Sequence, residues 1–357
     1  MTGNPYQQLP DRSFWRRAVA QVAAAEVDPV GEFGLRIGTS TKVATAGSCF
    51  AQHIARHLSN SGFHYYVAEQ GHPILPETVR AGQNYGVYSC RYGNIYTARQ
   101  LLQLIQRAYG EFKPAEDAWE EGPGVVVDPF RPTIQVGGFA STSEMQIDRA
   151  QHLAAVRRMF ETLDVFVFTL GLTETWRSRR DGAVFPLCPG VQGGTFDADK
   201  YEFYNQPVED VIADLTAFRQ KLASVNGRAQ IILTVSPVPL VATGEAGQHV
   251  LSATTYSKSV LRVAAETLRR RFADVHYFPS YEIVTGAHSR GAYFANDLRS
   301  VREEGVAHVM RLFMQHAGDA STPADAKPVP ASRSDRHRAL SEQLVEVECD
   351  EIALDAR

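Results

Sequence analysis

Short apolar runs alternate along this chain with segments whose apolar residues recur at the spacing of a helix face. Runs of strand length occupy residues 43–46, 63–68, 164–169, 231–235 and 275–278. The helical spacing fills residues 49–58, 98–109, 149–163, 208–224, 253–272 and 301–314. Strands that are apolar throughout are typical of a parallel sheet buried on both faces. The alternation therefore predicts an α/β fold with a parallel sheet and helices on both faces.

Other stretches do not follow this alternation. Residues 110–147 carry several prolines and residues 177–206 are rich in turn formers, so both are predicted to be irregular insertions. Residues 1–34 are predicted to form an N-terminal arm, and residues 35–317 the α/β domain. Residues 318–357 are poor in apolar side chains, which predicts a disordered acidic tail that could end in a short helix.

The junction of the first strand and the first helix reads Gly47-Ser48-Cys49. Gly47 lets the backbone turn sharply because it has no Cβ. Cys49 then lies at a helix N-terminus, where unpaired amides and the helix dipole make a thiol more acidic. This is the construction of a nucleophile elbow, on which Cys49 or Ser48 would attack a substrate. The structural alternative makes Ser48 a helix cap and Cys49 a small buried side chain.

The same stretch carries a resemblance to a known family. Gly47-Ser-Cys-Phe-Ala51 matches, letter for letter, the motif after which the GSCFA family is named. That family resembles the SGNH/GDSL hydrolases, which include esterases, acetyl-esterases and O-acyltransferases. The resemblance implies an SGNH-like, flavodoxin-like sheet and places Cys49 where those enzymes have their nucleophilic serine.

Two further blocks carry the resemblance downstream. Gly93 and Asn94 stand where SGNH proteins place a glycine turn of the oxyanion hole, although a plain turn before a helix is the alternative. Gly171, Thr173 and Glu174 follow the apolar strand 164–169 and take the place of the usual Gly-x-Asn-Asp block. Thr173 replaces the asparagine donor, and a buried Glu174 needs either a partner or a function.

The largest departure from the SGNH pattern concerns the histidine that would act as the base. The expected Asp-x-x-His block reads Asp297-Leu-Arg-Ser300, so its histidine is missing, and Ser300 with Glu303 has the spacing of a capping box. His249 follows the strand 231–235 in a glycine-containing loop on the catalytic side, and it is the favoured base. His308, farther along the last predicted helix, is the alternative base.

Net charge, hydropathy and cysteine content exclude some kinds of partner and indicate a cellular location. The net charge is −4 and the pI is about 6.3, so no basic field recruits nucleic acid. No apolar run is long enough to span a membrane, and the N-terminus lacks the pattern of a secretory signal. The four cysteines show no CxxC spacing, so we expect reduced thiols, a cytoplasmic location and no metal site.

These residues together predict acyl or acetyl ester chemistry through a covalent acyl-enzyme on Cys49 or Ser48. The substrate would be a glycan or a small hydroxyl compound, and Asp297 or Glu174 would orient the base. Ser236, after the strand 231–235, lies at the same edge of the predicted sheet. No resident cofactor is expected, although acetyl-CoA could serve as the acyl donor. The alternative is an inactive SGNH-like protein that binds CoA, a nucleotide or a glycan.

Overall fold

The computed structural model describes residues 4–319 and residue 354. The strands are β1 (Val43–Gly47), β2 (Trp119–Gly122), β3 (Val125–Val127), β4 (Val165–Leu170), β5 (Glu174–Ser178), β6 (Val184–Phe185), β7 (Tyr201–Asn205), β8 (Gln230–Val235) and β9 (Val275–Tyr277). The α-helices are α1 (Cys49–Asn60), α2 (Glu77–Gly82), α3 (Ala98–Ala108), α4 (Thr142–Thr162), α5 (Val208–Val225), α6 (Val250–Arg271), α7 (Ser280–Thr285) and α8 (Glu303–Ala317).

The central sheet is parallel and has the order β1–β4–β8–β9. Thr45 lies opposite Val167 in the register of β1 and β4. On the outer side of β1, Tyr65 makes one parallel bridge to Val43. With that bridge counted, the order is the one of doubly wound, flavodoxin-like sheets. The predicted α/β fold with a parallel sheet is thus confirmed.

The strand predicted at residues 63–68 is wrong: only the single bridge at Tyr65 forms there. Tyr66 donates its amide to the carbonyl of Val43, but Ala68 already donates to the carbonyl of Ser89. The chain therefore leaves β1 after one contact and joins a loop instead. The apolar composition of residues 63–68 indicated that they are buried, but it did not specify which strand they would pair with.

Each face of the sheet carries its own layer of helices. Phe166 and Phe168 of β4 point into a core that includes α3, α4, α5 and α6. Val165 and Val167, the alternate residues, point into a second core formed with α1, α7 and α8. This alternation follows from the period of two residues in a strand, and it confirms the predicted helices on both faces.

The stretches predicted to be irregular contain short strands. β2 and β3 form a hairpin, and β6, β5 and β7 form a separate antiparallel sheet. Strands of two to five residues leave too little alternation to be recognised in the sequence. α4 also begins before the predicted start at Arg149, because Ser141 caps it by accepting the amide of Glu144 at 3.2 Å.

The N-terminal arm lies against the second core. Val30 is buried there, and Asp28 pairs with His316 near the end of α8 at 2.7 Å. The predicted tail falls outside the described residues from 320 onward, apart from residue 354, so its disorder and its short helix stay predictions. The predicted domain boundaries likewise remain predictions. No helix of the described residues has the length and apolar character needed to cross a bilayer.

His308 is buried inside α8, with only 4% of its surface exposed. Its Nδ1 lies 2.8 Å from the hydroxyl of Tyr293, and its Nε2 has no hydrogen-bond partner among the described residues. Burial lowers the pKa of His308 to about 4, with further lowering by the charges of Arg311 and His288. The folded protein therefore holds this histidine neutral at pH values where an unfolded chain would protonate it.

This buried histidine predicts a loss of stability in mild acid. The unfolded state binds the additional proton between pH 6.5 and about 4, so the free energy of unfolding should fall as the pH drops through that window. His308→Gln cannot take up the proton and should lose less stability than the wild type between pH 7 and pH 5. Denaturant unfolding of both proteins at the two pH values measures the difference. Equal losses in both proteins would contradict the assignment.

Candidate active site

The carboxyl ends of the parallel strands meet at one edge of the sheet. Ser48 follows β1, Gly171 follows β4 and Ser236 follows β8. Ser48 donates its amide to Thr169 at 3.3 Å, and Ser236 donates its amide to Leu170 at 2.8 Å. Polar groups of three neighbouring strands are thereby held at the edge where ligands bind in sheets of this type.

Gly47 is the last residue of β1 and pairs with Thr169 of β4. Its φ of +144° is one that residues with a Cβ rarely adopt. A Cβ at this position would lie 2.4 Å from the carbonyl oxygen of Thr169. The glycine is therefore required both by the turn and by the close approach of the two strands.

α1 begins at Cys49, so the predicted succession of strand, glycine turn and helix is confirmed. Ser48 occupies the cap position but its side chain makes no capping bond. Its hydroxyl is buried and has no hydrogen-bond partner among the described residues. Cys49 is half-buried. A helix end whose amides are not capped by a side chain favours negative charge, which is what a nucleophile or an oxyanion brings.

The segment around Gly93 and Asn94 is threaded between the ends of β1 and β4. Ile95 donates its amide to the carbonyl of Gly47 at 2.8 Å, and Gly171 donates to the carbonyl of Tyr96 at 3.0 Å. Gly93 has a φ of +70°, which makes the turn into this segment. The segment that carries Asn94 therefore lies beside the junction of β1 and α1.

The side chain of Asn94 is buried beside the first turn of α1. Gln52, one turn after Cys49, donates from Nε2 to Oδ1 of Asn94 at 3.4 Å and to the hydroxyl of Tyr88 at 3.2 Å. Oδ1 of Asn94 is therefore engaged as an acceptor within the protein. The oxyanion role of the Asn94 side chain stays a prediction.

Thr173 braces the site through both of its donors. Its amide donates to the hydroxyl of Ser257 at 3.0 Å, and its hydroxyl donates to Oδ1 of Asn205 at 2.7 Å. The predicted oxyanion donor at this position is therefore already engaged within the protein. A ligand could use it only by displacing one of these bonds.

Lys258 is a residue that the sequence reading missed. It lies on α6 with 2% of its surface exposed, and its Nζ donates to the carbonyl of Gly171 at 2.6 Å. A lysine buried to this extent is rare and marks a candidate functional group. The available signal was its position on the buried stripe of the helix, in line with Leu261, Ala265 and Leu268.

Glu174 has a structural partner. It begins β5, four residues after β4 ends at Leu170. Its two carboxylate oxygens accept from the hydroxyl of Thr243 at 2.7 Å and from the amide of Gly244 at 3.0 Å. Burial raises the pKa of Glu174, although these two bonds oppose the rise. The carboxylate fixes the loop between β8 and α6, while its predicted role in orienting a base stays a prediction.

Asp297 is engaged by the residue that replaces the expected histidine. Ser300 donates its hydroxyl to Oδ2 of Asp297 at 2.5 Å and its amide to Oδ1 at 3.0 Å. Burial opposes ionisation, yet these bonds lower the pKa of Asp297. The predicted capping box is wrong, because α8 begins at Glu303 with Arg302 in the cap position. Asp297 is the better partner for Ser300, since its carboxylate accepts both of the serine's donors.

The two candidate histidines lie in different surroundings. His249 is exposed in the cap position of α6, where its Nδ1 accepts the amide of Leu251 at 3.1 Å. That bond places the proton of a neutral His249 on Nε2. His308 belongs to the second core, with its ring beside Tyr293 and His288. His249 as the base, and His308 as the alternative base, remain predictions.

The cysteines of the described part form no disulfide. Burial raises the pKa of Cys90 well above its usual value, and that of Cys188 to about 11. Cys90 has no exposed surface, whereas Cys49 and Cys188 are half-buried. Cys49 is therefore the cysteine among them that combines access with a helix N-terminus.

The model of the GSCFA family matches residues 42–313, which is well over half of the chain and includes the described site. No curated protein matches the chain.

Cys49 should be the most reactive of the described thiols at neutral pH. It should be alkylated faster than Cys90 and Cys188, because those two thiols are held protonated by burial. Competitive labelling with iodoacetamide, read by peptide mass, measures each cysteine separately. Cys349 lies outside the described residues and serves as an internal comparison. Slower labelling of Cys49 than of Cys90 would contradict the elbow and direct attention to Ser48.

Gly47→Ala should destabilise the protein strongly. The new Cβ meets the carbonyl of Thr169, and the backbone cannot relax without opening β1 from β4. We expect a loss of about 3 kcal/mol in the free energy of unfolding. Gly34→Ala is the matched control, because a Cβ there meets no atom within 4 Å. Similar stability of both variants would show that the strand ends can separate at low cost.

Proposed function

The chain belongs to the GSCFA family, and we propose that it performs acyl or acetyl ester chemistry through a covalent acyl-enzyme on Cys49. The observation that carries the proposal is the position of Cys49 as the first residue of α1, directly behind the required glycine turn at Gly47. The half-buried thiol is at the ligand edge of a parallel sheet, with an amide side chain, Asn94, beside the same helix turn.

The proposed reaction has two steps. The sulfur of Cys49 attacks the acyl carbonyl, a carbon–sulfur bond forms, and the carbonyl oxygen becomes an oxyanion. We propose that amides at the start of α1, the backbone of the Gly93 turn and the side chain of Asn94 stabilise that charge. The bond to the leaving group then breaks, and a hydroxyl acceptor or water attacks the thioester and releases Cys49.

Ser48 is the competing nucleophile within the same proposal. Its hydroxyl is buried and lacks a hydrogen-bond partner among the described residues, so a substrate could supply one. A thiolate, however, needs less activation than a serine hydroxyl at neutral pH. We therefore assign the attack to Cys49 and a ligand contact to Ser48.

The substrate class follows from the family resemblance and not from a bound ligand. We propose a sugar hydroxyl of a glycan, or another small hydroxyl compound, as the acceptor, and a thioester such as acetyl-CoA as the donor. Transferase and esterase would share Cys49 and differ in whether water reaches the acyl-enzyme. The absence of disulfides among the described cysteines fits the cytoplasmic location that belongs to this proposal.

A second candidate function is ligand binding without turnover. The observation that favours it is the closed pair of Asp297 and Ser300, in which the carboxylate expected to orient a histidine accepts from serine instead. A protein of this kind would hold CoA, a nucleotide or a glycan at the same sheet edge. It would bind an acyl donor without transferring the acyl group.

Intact-mass measurement after incubation with p-nitrophenyl acetate, and separately with acetyl-CoA, tests the proposal. We expect one acetyl group per chain on the wild type, retained on Ser48→Ala and absent from Cys49→Ala. An adduct that persists in Cys49→Ala and disappears in Ser48→Ala would identify Ser48 as the nucleophile. Unchanged mass of a folded wild type that binds acetyl-CoA tightly would support the binding protein instead.

A further inference from the structure

We propose that Lys258 is the proton carrier of this site, in the place of the histidine that the Asp297-x-x-Ser300 block lacks. The proposal rests on the covalent chemistry assigned to Cys49. Lys258 is outside the family motif and lies within α6, whose cap position is occupied by His249, whereas His308 lies on α8.

Helix α6 reaches the end of β4 through two consecutive side chains. Ser257 accepts the amide of Thr173 at 3.0 Å, and Lys258 donates to the carbonyl of Gly171 at 2.6 Å. Ser257 and Lys258 are 1% and 2% exposed. The amine is therefore fixed at the strand end, out of bulk water, by the same helix that braces the neighbouring turn.

Gly171 connects this amine with the nucleophile elbow. A Cβ on Gly171 would lie 3.2 Å from the Cβ of Ser48 and 3.1 Å from the carbonyl of Tyr96. Gly171, which accepts the lysine bond, therefore lies so close to Ser48, the residue before Cys49, that a side chain would not fit freely between them.

The bond to Gly171 suits a group that must gain and lose a proton. A carbonyl oxygen is an uncharged acceptor that can accept from an ammonium and, more weakly, from a neutral amine. It therefore holds Lys258 in place in both protonation states. Lysines in buried sites serve as general bases in other enzymes, and a Ser–Lys pair replaces the histidine in some hydrolases.

The proton balance of the two steps is complete with one lysine. In the first step, the leaving atom, which is the sulfur of a thioester donor or the oxygen of an ester, takes a proton from the Lys258 ammonium as its bond to the acyl carbon breaks. In the second step, the acceptor hydroxyl or water gives its proton to the neutral amine as its oxygen attacks the thioester. The thiolate of Cys49 leaves, and the site returns to its starting protonation.

p-Nitrophenyl acetate separates the two steps, because nitrophenolate departs without needing a proton. In Lys258→Arg and Lys258→Met, the burst of nitrophenolate and the adduct on Cys49 should still form. Because nitrophenolate takes no proton, Lys258 must first release its proton to solvent before it can act as the base. Decay of the adduct in water, or with added methanol, should then be about 10²-fold slower in both variants than in the wild type, since this step needs a base. The wild type should also show an inflection in the pH profile of adduct decay that both variants lack.

Lys258→Arg is the decisive variant for distinguishing proton transfer from positioning. Arginine keeps a cationic donor for the carbonyl of Gly171 but does not release its proton. Ser257→Ala is the matched control, because it removes the adjacent contact of α6 with the same turn. It should change the decay rate only a few-fold. Melting temperatures of all variants establish that each is folded.

Two outcomes would overturn the inference, and they are distinct from failure of the proposed function. If the wild type forms an adduct and Lys258→Arg releases it at the wild-type rate with an unchanged pH profile, Lys258 carries no proton. If His249→Ala blocks release while Lys258→Arg does not, the histidine is the base. A wild type that forms no adduct on any residue refutes the covalent chemistry itself.

Discussion

The close approach of β1 to β4 at Gly47 is the constraint on which the site depends. The φ of Gly47 and the 2.4 Å separation between a built Cβ and the carbonyl of Thr169 leave room for no side chain. This contact sets the height at which α1 begins relative to the end of β4. It therefore fixes Cys49 against the segment that carries Asn94, since Ile95 bonds directly to the carbonyl of Gly47.

A buried ionic network holds the other side of that segment. Arg91 is 1% exposed and pairs with Asp148 at 2.7 Å, and Arg131 reaches the same carboxylate at 2.8 Å. Arg131 also pairs with the fully buried Asp128 and donates to the carbonyl of Arg91 at 3.3 Å. Removing one partner of such a network leaves a buried charge without compensation, which costs several kcal/mol. The turn at Gly93 thus follows a residue, Arg91, that this network holds in place.

The parallel core could be predicted because the patterns that specify its strands and helices lie within short stretches of sequence. Apolar runs such as the one in β4, and the Gly47-Ser48-Cys49 junction, carry their own periodicity and turn chemistry. The short antiparallel strands could not be predicted in the same way, because β5 and β7 are paired by contacts between distant segments. The capping box at Ser300 failed for a different reason: Asp297, which is close in sequence, accepts both of the serine's donors.

The candidate site was predictable only in part. Residues on strand ends were found, since the edge of a parallel sheet collects them. Lys258 was not, because a lysine on a long helix is usually exposed and only the packed structure reveals which ones are buried. Glu174 shows the reverse case. Its burial was foreseen, but its partners in the loop at Thr243 and Gly244 could not be identified before the fold was known.

The positions of α1 and α6 explain how a nucleophile and a proton carrier could act together in this fold. The two helices contribute to cores on opposite faces of the sheet, so their side chains can meet only beyond a strand end. β4 lies next to β1, and its first residue past the strand is Gly171. A side chain at Gly171 would press on Ser48, whereas glycine allows its carbonyl to face Lys258 while its backbone touches the elbow. The absence of one Cβ thus lets residues from helices on both faces of the sheet lie on either side of Gly171.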